Sequence, residues 1–332
     1  MKISEAGGER AIIKLIRDQF GSPAEGDLAL GIGDDAALIR SGDMFLIVTT
    51  DMLLENTHFR MELIDGYQLG WKSAAVNISD VAAMGGTPTY SFVSIGLPDI
   101  EIGVVESIYE GIRDVSAKYG SVLAGGDTVA SAAGIVINVV QLGKVSPDMV
   151  LRRDCAKPGD AILVTNTIGD SRAGLELLLR FGLSEARRAS ESCVRSHLQP
   201  EPRVSEAQAA AGTGKVNSMM DLSDGLASDL QKLCIASGVG AGIHSKQLPV
   251  SSDMSIAAAR LDLDPTRLAT AGGEDYELLL TCRPKSAPQI IEAIAATGSS
   301  ACVIGEITQE RDVVLIMPDG AVEPIGESWE HF

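Results

Sequence analysis

Gly31-Ile-Gly-Asp-Asp-Ala36 is the stretch on which the reading of the fold turns. It formally satisfies the dinucleotide fingerprint G-x-G-x-x-G/A, which would make the first half of the chain a doubly wound Rossmann domain. A Rossmann loop, however, offers bare amides at a helix N-terminus to a pyrophosphate. Here Asp34 and Asp35 occupy the turn and would repel one, and Ala36-Ala-Leu-Ile-Arg40 continues more like a strand than a helix. The alternative reading is that Asp34 or Asp35 holds Mg²⁺, which in turn holds phosphate.

The same oddity, an aspartate among glycines and small residues where an apolar run ends, recurs in Val48-Thr-Thr-Asp51, Asn77-Ile-Ser-Asp80, Gly125-Gly-Asp127-Thr128 and Asp221-Leu-Ser-Asp224-Gly225. Asp gains nothing in such a place unless it caps a helix, turns the chain or holds a cation. One instance is a cap. The whole set suggests a site built from carboxylates and backbone amides, which suits divalent metals and phosphates.

The bulk composition bounds the partners. A chain of 332 residues is long enough for two domains, and 45% apolar with 22% charged residues is typical of a globular protein. Aromatics make up only 4%, so the cores must come from Ala, Val, Ile and Leu, while 35 glycines forecast tight turns and close backbone approach. A net charge of −18 argues against nucleic acid and anionic membranes. It also means that a phosphate ligand needs a mediating metal. Cys155, Cys193, Cys234, Cys282 and Cys302 are odd in number and scattered, which fits reduced thiols in a cytoplasm better than disulfides or zinc. No secretory signal and no apolar run of membrane-spanning length is expected.

Periodicity predicts a helix over 9–20, strands at 27–31, 36–40 and 44–50, a helix rich in small residues over 67–84, a strand over 89–97, a helix over 102–119, a short strand at 121–124 and another over 134–143. A second block begins near Ala156-Lys-Pro-Gly-Asp160, with strands at 161–165, 276–282 and 313–317 and helices at 169–181 and 222–236. The polar stretch 184–208, with Pro200 and Pro202, reads as the least regular part. The expected division is 1–148 and 149–332. The mixture of adjacent strands and helices favours two α/β or α+β layers over one doubly wound sheet.

Each motif has a plain alternative. On the 67–84 helix, Ser73, Asn77, Asp80 and Met84 share a face, which is either solvated surface or a lining for a site. The near-absence of Lys, Arg or Glu beyond Lys72 weighs against surface. Asp224 reads as a helix N-cap, yet Asp221 stands three residues earlier and one helix needs one cap. Gly125-Gly-Asp-Thr128 and Gly272-Gly-Glu-Asp-Tyr276 each read equally as turns with left-handed glycines. His58, in a polar loop shortly after Asp51, is ordinarily just solvated. No P-loop and no His-Arg-Asp loop occurs, so an ATP site here is of another type.

Taken in order, these segments resemble the thiamine-monophosphate kinase family, within the superfamily of aminoimidazole-ribonucleotide synthetase, selenophosphate synthetase and HypE-type proteins. Gly31–Ala37, Thr49-Thr-Asp51 with His58, Ala75–Gly85, Gly125–Thr128, Lys157-Pro-Gly-Asp160, Asp221–Leu226 and Gly272–Leu278 carry the likeness over essentially the whole chain. The resemblance implies ATP- and Mg²⁺-dependent phosphorylation of thiamine monophosphate by direct transfer. It implies an N-terminal domain that binds ATP and Mg²⁺ and pairs its sheet across a homodimer, followed by a C-terminal α/β domain.

On the same basis Asp35, Thr50, Asp51, Asp80, Asp127, Asp221 and Asp224 are the expected metal ligands. Asp35, Thr49, Tyr109, Gly126, Asp127, Arg153 and Ser223 are expected at ATP, and His58, Glu274 and Trp329 at the thiamine phosphate. The alternatives are a carbonyl-activating enzyme of the HypE or aminoimidazole-ribonucleotide-synthetase kind, or a non-catalytic Mg-nucleotide module. The chain ends His331-Phe332 and has no cysteine before Cys155, so it lacks the terminal cysteines that HypE-type proteins and selenophosphate synthetases use.

Overall fold

The computed structural model describes residue 5 and residues 8–21 and 24–326. In chain order the first half forms α1 (Gly8–Phe20), β1 (Leu28–Leu30), β2 (Ala37–Ser41), β3 (Met44–Leu54), α2 (Gly66–Ala83), β4 (Thr87–Leu97), α3 (Ile102–Tyr119), β5 (Val122–Ala130) and β6 (Val136–Val145). Its six strands make one sheet in the order β1-β2-β3-β6-β4-β5, antiparallel except where β4 meets β5. A Rossmann sheet is parallel, so the fingerprint at Gly31–Ala36 is excluded, and the loop feeds β2 rather than a helix.

The second half forms β7 (Ala161–Thr165), α4 (Asp170–Ala189), α5 (Glu191–Leu198), α6 (Val204–Gly212), β8 (Val216–Asp221), α7 (Leu226–Ser237), β9 (Gly240–His244), α8 (Ser252–Leu261), α9 (Pro265–Ala271), β10 (Leu278–Cys282), α10 (Ala287–Ala295), β11 (Ala301–Thr308), β12 (Val313–Ile316) and β13 (Val322–Pro324). These strands join as β13-β12-β9-β11-β7-β10-β8. Both halves are therefore mixed sheets with helices packed on them.

The helix α2 joins the two. It starts at a capping box: the Asp65 carboxylate accepts the Gln68 N–H at 2.8 Å, and the Gln68 side chain accepts the Asp65 N–H at 3.3 Å. A Cβ at Gly70 would stand 1.8 Å from the Ile108 carbonyl oxygen, so only glycine lets α2 lie this close to α3. The sheet of the first half, α3, and then α6 and β8 of the second half surround the helix. Ile78 of α2, Val139 of β6 and Met219 of β8 consequently belong to one hydrophobic cluster. The other face of the N-terminal sheet is uncovered, with Tyr90, Phe92 and Met52 exposed, and the edge strand β5 is exposed at every residue. Among the described residues no helix is long and apolar enough to cross a membrane.

Three expectations are corrected. β3 continues past Thr50 to Leu54, so Thr49-Thr-Asp51 is mid-strand. Gly125–Thr128 is not a turn: β5 runs through it, with a register irregularity opposite Ser91 and Phe92. Residues 184–208 are largely helical, because a sparse set of apolar residues (Ala186, Cys193, Val194, Leu198) suffices to seat α4 and α5, and Ser190 caps α5 by accepting the Cys193 N–H at 3.2 Å.

Candidate active site

Three carboxylates from three elements converge. Asp35 precedes β2, Asp80 lies in the last turn of α2, and Asp221 ends β8; one oxygen of each lies within 4.8 Å of the others. Neighbouring hydroxyls hold them. Thr49 Oγ1 donates to Asp80 Oδ2 at 2.6 Å, and Ser79 Oγ donates to Asp221 Oδ2 at 2.5 Å. Asn77 Oδ1 accepts the Asp51 N–H at 2.9 Å, which registers β3 against α2. The polar stripe of α2 is therefore not solvated surface: Ser73, Asn77 and Met84 are buried, and Asp80 joins the clustered carboxylates.

Burial sets the electrostatics. It pushes the carboxyl of Asp80 well above the ordinary range, with the charges of Asp51, Asp221 and Asp35 adding to it, and Asp221 is raised likewise by burial and then by Asp35. Burial also lifts Asp34 to about 7 and Asp51 to about 6. Two cations compensate from the edges. Arg153 pairs with Asp34 and Asp35, and Lys232 pairs with Asp224 and, at 2.8 Å, with Asp229. Even so, Asp35 Oδ2 is buried without a hydrogen-bond partner. A cluster of hard oxygen donors with an orphaned carboxylate oxygen is the donor set that Mg²⁺ takes.

The C-terminal wall consists of two interlocked loops. The Glu274 N–H donates to the Ser223 carbonyl at 2.7 Å and the Tyr276 N–H to that of Leu222 at 2.9 Å. Gly225, at φ +101°, makes the contact possible, since a Cβ there would stand 2.5 Å from the Gly272 carbonyl oxygen. Glu274 (φ 65°) and Tyr276 (φ 52°) are left-handed although neither is glycine, a conformation that costs about 1–3 kcal/mol each and is concentrated at functional sites. Asp224 is not a helix N-cap; instead Asp229 Oδ2 accepts the N–H groups of Asp224 and Gly225 at 3.0 Å each. Asp275 fastens the start of α4, accepting the Gly169 and Ser171 N–H groups at 2.6 and 3.1 Å.

A cavity of about 350 Å³ opens between these walls. It brings together Asp51, Asp80, Ser223 and Asp224 with His58 and Glu274, and Leu53, Val76 and Leu175 give it an apolar side. Of the residues expected from sequence, Asp35, Thr49, Arg153 and Asp221 adjoin this group through the contacts above. Thr50 points to the uncovered face of the sheet, where its Oγ1 accepts from Asn138 Nδ2 at 2.9 Å. Gly126 and Asp127 lie on β5, three strands from Asp51 and so about 14 Å away. Tyr109 stands beside them, hydrogen-bonded to Thr128. Trp329 lies outside the described residues. Sequence reasoning missed Lys232 and Asp229, which sit inside an ordinary amphipathic helix pattern, and Lys72 and His197, whose contacts are long-range.

The comparisons with known proteins agree with this architecture. Residues 33–145 match the model of the AIR synthase related protein N-terminal domain, and residues 157–318 that of the C-terminal domain. The fold and site thus define an AIR synthase related protein. Within that class, the Escherichia coli (strain K12) thiamine-monophosphate kinase is 36% identical, with 98% of each chain covered. The Aquifex aeolicus thiamine-monophosphate kinase is 34% identical over the whole of both chains. A solved structure described as AaThiL complexed with AMPPCP and TMP superposes with a TM-score of 0.87 at 33% identity, covering 100% of this chain and 99% of that one. The chain belongs to the thiamine-monophosphate kinase family.

Proposed function

We propose that this chain phosphorylates thiamine monophosphate with ATP to give thiamine diphosphate. The observation that carries the reading is the carboxylate cluster of Asp35, Asp80 and Asp221, with its orphaned oxygen, bordering a cavity that also holds Glu274 and His58. The acceptor's phosphate is largely ionised at neutral pH, its second pKa being near about 6, so the attacking oxygen needs no general base. That suits a site whose described residues form no Ser-His-Asp or Cys-His relay, since His197 meets Ser171 and Glu274 through one and the same ring nitrogen. The difficulty is charge, because one polyanion must approach another in line.

Asp35, Asp51, Asp80, Asp221 and Asp224 would hold several Mg²⁺ ions, which when bound supply the positive charge that lets the two phosphates meet. The residues themselves fix the approach. Ser79, Thr49 and Asn77 orient the carboxylates and β3, and Arg153 and Ser223 face ATP. His58, Glu274 and, at the C-terminus, Trp329 take the thiamine portion.

Thr50, Tyr109, Gly126 and Asp127 are the remaining metal and ATP residues of the reading. Thr50 and Asp127 lie on the uncovered side of the N-terminal sheet, and Gly126 and Tyr109 lie at its exposed edge strand β5, which favours a homodimer in which residues 1–148 supply the dimerisation and ATP/Mg²⁺-binding unit and 149–332 the second domain. Tyr90 and Phe92 exposed on that face support the same arrangement. All cysteines are free thiols, in keeping with a cytoplasmic enzyme. The test is turnover with ATP, Mg²⁺ and thiamine monophosphate set beside the aminoimidazole precursor as alternative acceptor. Phosphorylation of the first and inertness to the second is expected; the reverse would overturn the reading.

A further inference from the structure

Lys72 heads the fully buried side chains by size, at 1% exposure in the middle of α2. Burying an ammonium group is costly unless it is paired, and an apolar residue of similar volume would stabilise the helix at least as well. The pairing is with a residue 202 positions away: Lys72 Nζ donates to Glu274 Oε2 at 2.9 Å. His197 Nδ1 lies 3.1 Å from the same oxygen and 3.2 Å from Ser171 Oγ. Both contacts fall on Oε2, while Glu274 lines the cavity, on a backbone held left-handed at φ 65°.

The charges facing Glu274 come from several elements. Burial works to neutralise its carboxyl, but the Lys72 side chain from α2 holds it below the ordinary range, with the rings of His197 from α5 and His58 from the loop after β3 also facing it. His197 is itself pushed down to about 3 by burial and by Lys72, with Arg172 of α4 adding to it, and so is neutral. Tyr276, two residues on, stays a phenol, its pKa raised by burial and by Glu274. Lys72 is therefore the cationic side chain that Glu274 contacts directly, at 2.9 Å. Along α2, Lys72 stands eight residues before Asp80, about 12 Å at 1.5 Å per residue. Lys72 thus stands more than two turns of α2 away from Asp80, while Glu274 and Asp80 line the same cavity.

We propose that Lys72 is a positioning residue for the acceptor: through Oε2 it fixes Glu274, leaving Oε1 as an anionic hydrogen-bond acceptor in the cavity for the amino-bearing or cationic ring of the substrate. The inference rests on the reading of the function given above and assigns the mechanism by which Glu274 serves it.

Lys72→Met tests it, with steady-state kinetics against each substrate separately. KM for thiamine monophosphate rises about tenfold or more, while KM for ATP and kcat at saturation stay within about twofold. As pH falls, the KM for thiamine monophosphate climbs more steeply in the variant than in the wild type, whose own rise reports the acceptor phosphate titrating at about 6, because Glu274 without Lys72 takes up a proton more readily. Glu274→Gln, which keeps the shape and loses the charge, shows the same split between the two KM values, and the double variant is no worse than the poorer single one. Should Lys72→Met fail to fold, Lys72→Gln, which keeps a donor and loses the charge, is read by the same split between the two KM values. Unchanged KM for thiamine monophosphate in an active variant, or an equal rise for both substrates, would overturn the inference and leave the pair structural. A wild-type enzyme inert to thiamine monophosphate would overturn the functional reading itself, and this inference with it.

Discussion

Ser79 Oγ and Asp221 Oδ2 meet at 2.5 Å across the seam between the two halves of the chain, 142 residues apart in sequence. Both residues are buried, so the bond is at once a tie between α2 and β8 and a restraint on one of the clustered carboxylates. Ser79→Ala leaves the buried Asp221 carboxylate with one donor fewer. Loss of about 1–3 kcal/mol of stability is expected, since this is the cost of stranding a buried acceptor. A fall in kcat should accompany it, and a melting curve together with an activity assay at saturating Mg²⁺ checks both.

Asp80→Asn should abolish turnover with the fold intact. The substitution keeps the shape and removes a charge that burial and Asp51 already oppose. The melting temperature of the metal-free protein is therefore expected to hold or rise while kcat falls by about 10³ or more, the scale for losing electrostatic stabilisation of a transition state. Wild-type kcat at saturating Mg²⁺ would remove Asp80 from the site.

Transfer should proceed without a phosphoenzyme. The cavity offers no activated nucleophile, and the His58 Nδ1 is occupied, accepting the Leu54 N–H at 3.0 Å. Incubation with γ-labelled ATP in the absence of acceptor, followed by denaturation, should leave no label on the protein. Stoichiometric label that disappears in His58→Ala would refute direct transfer.

His197 predicts a pH effect on stability. Its folded pKa, near 3, lies below the ordinary 6.5, so between these values the unfolded chain binds the extra proton. Stability contributed by the neutral ring is thus present in full above about pH 6.5 and is lost as pH falls toward 3. Denaturant midpoints should drop across that window, and His197→Asn should flatten the slope.

Where local pattern and tertiary packing agree, the sequence is legible. The apolar period of Ile102–Tyr119 gives α3 to the residue, and the continuous run Ala161–Thr165 gives β7. β9 is not legible, because Gly240-Ala-Gly-Ile-His244 has no β-branched alternation, and β8 is hidden because Met219, Met220 and Asp221 are buried in succession. The acidic half of the site stands out because Asp in a small-residue context is rare. Its cationic half does not stand out in the local pattern: Lys232 sits at the polar positions of an amphipathic helix, and Arg153, in a short 3₁₀ turn between the two domains, is found only through the family resemblance. Only folding shows that both are bent inward to the carboxylates.

Asp35, Asp51 and Asp80 come from one half of the chain and Asp221 and Asp224 from the other. Any ligand they share is consequently a rivet between two domains, and its occupancy becomes part of the protein's mechanical cohesion. Binding that reaches a hundred times the dissociation constant would add about 2.7 kcal/mol to the folded state. The lifetime of such a molecule would then be coupled to the supply of what it binds, because a ligand held from both halves adds to the cohesion across the seam beside α2 and its loss removes that contribution.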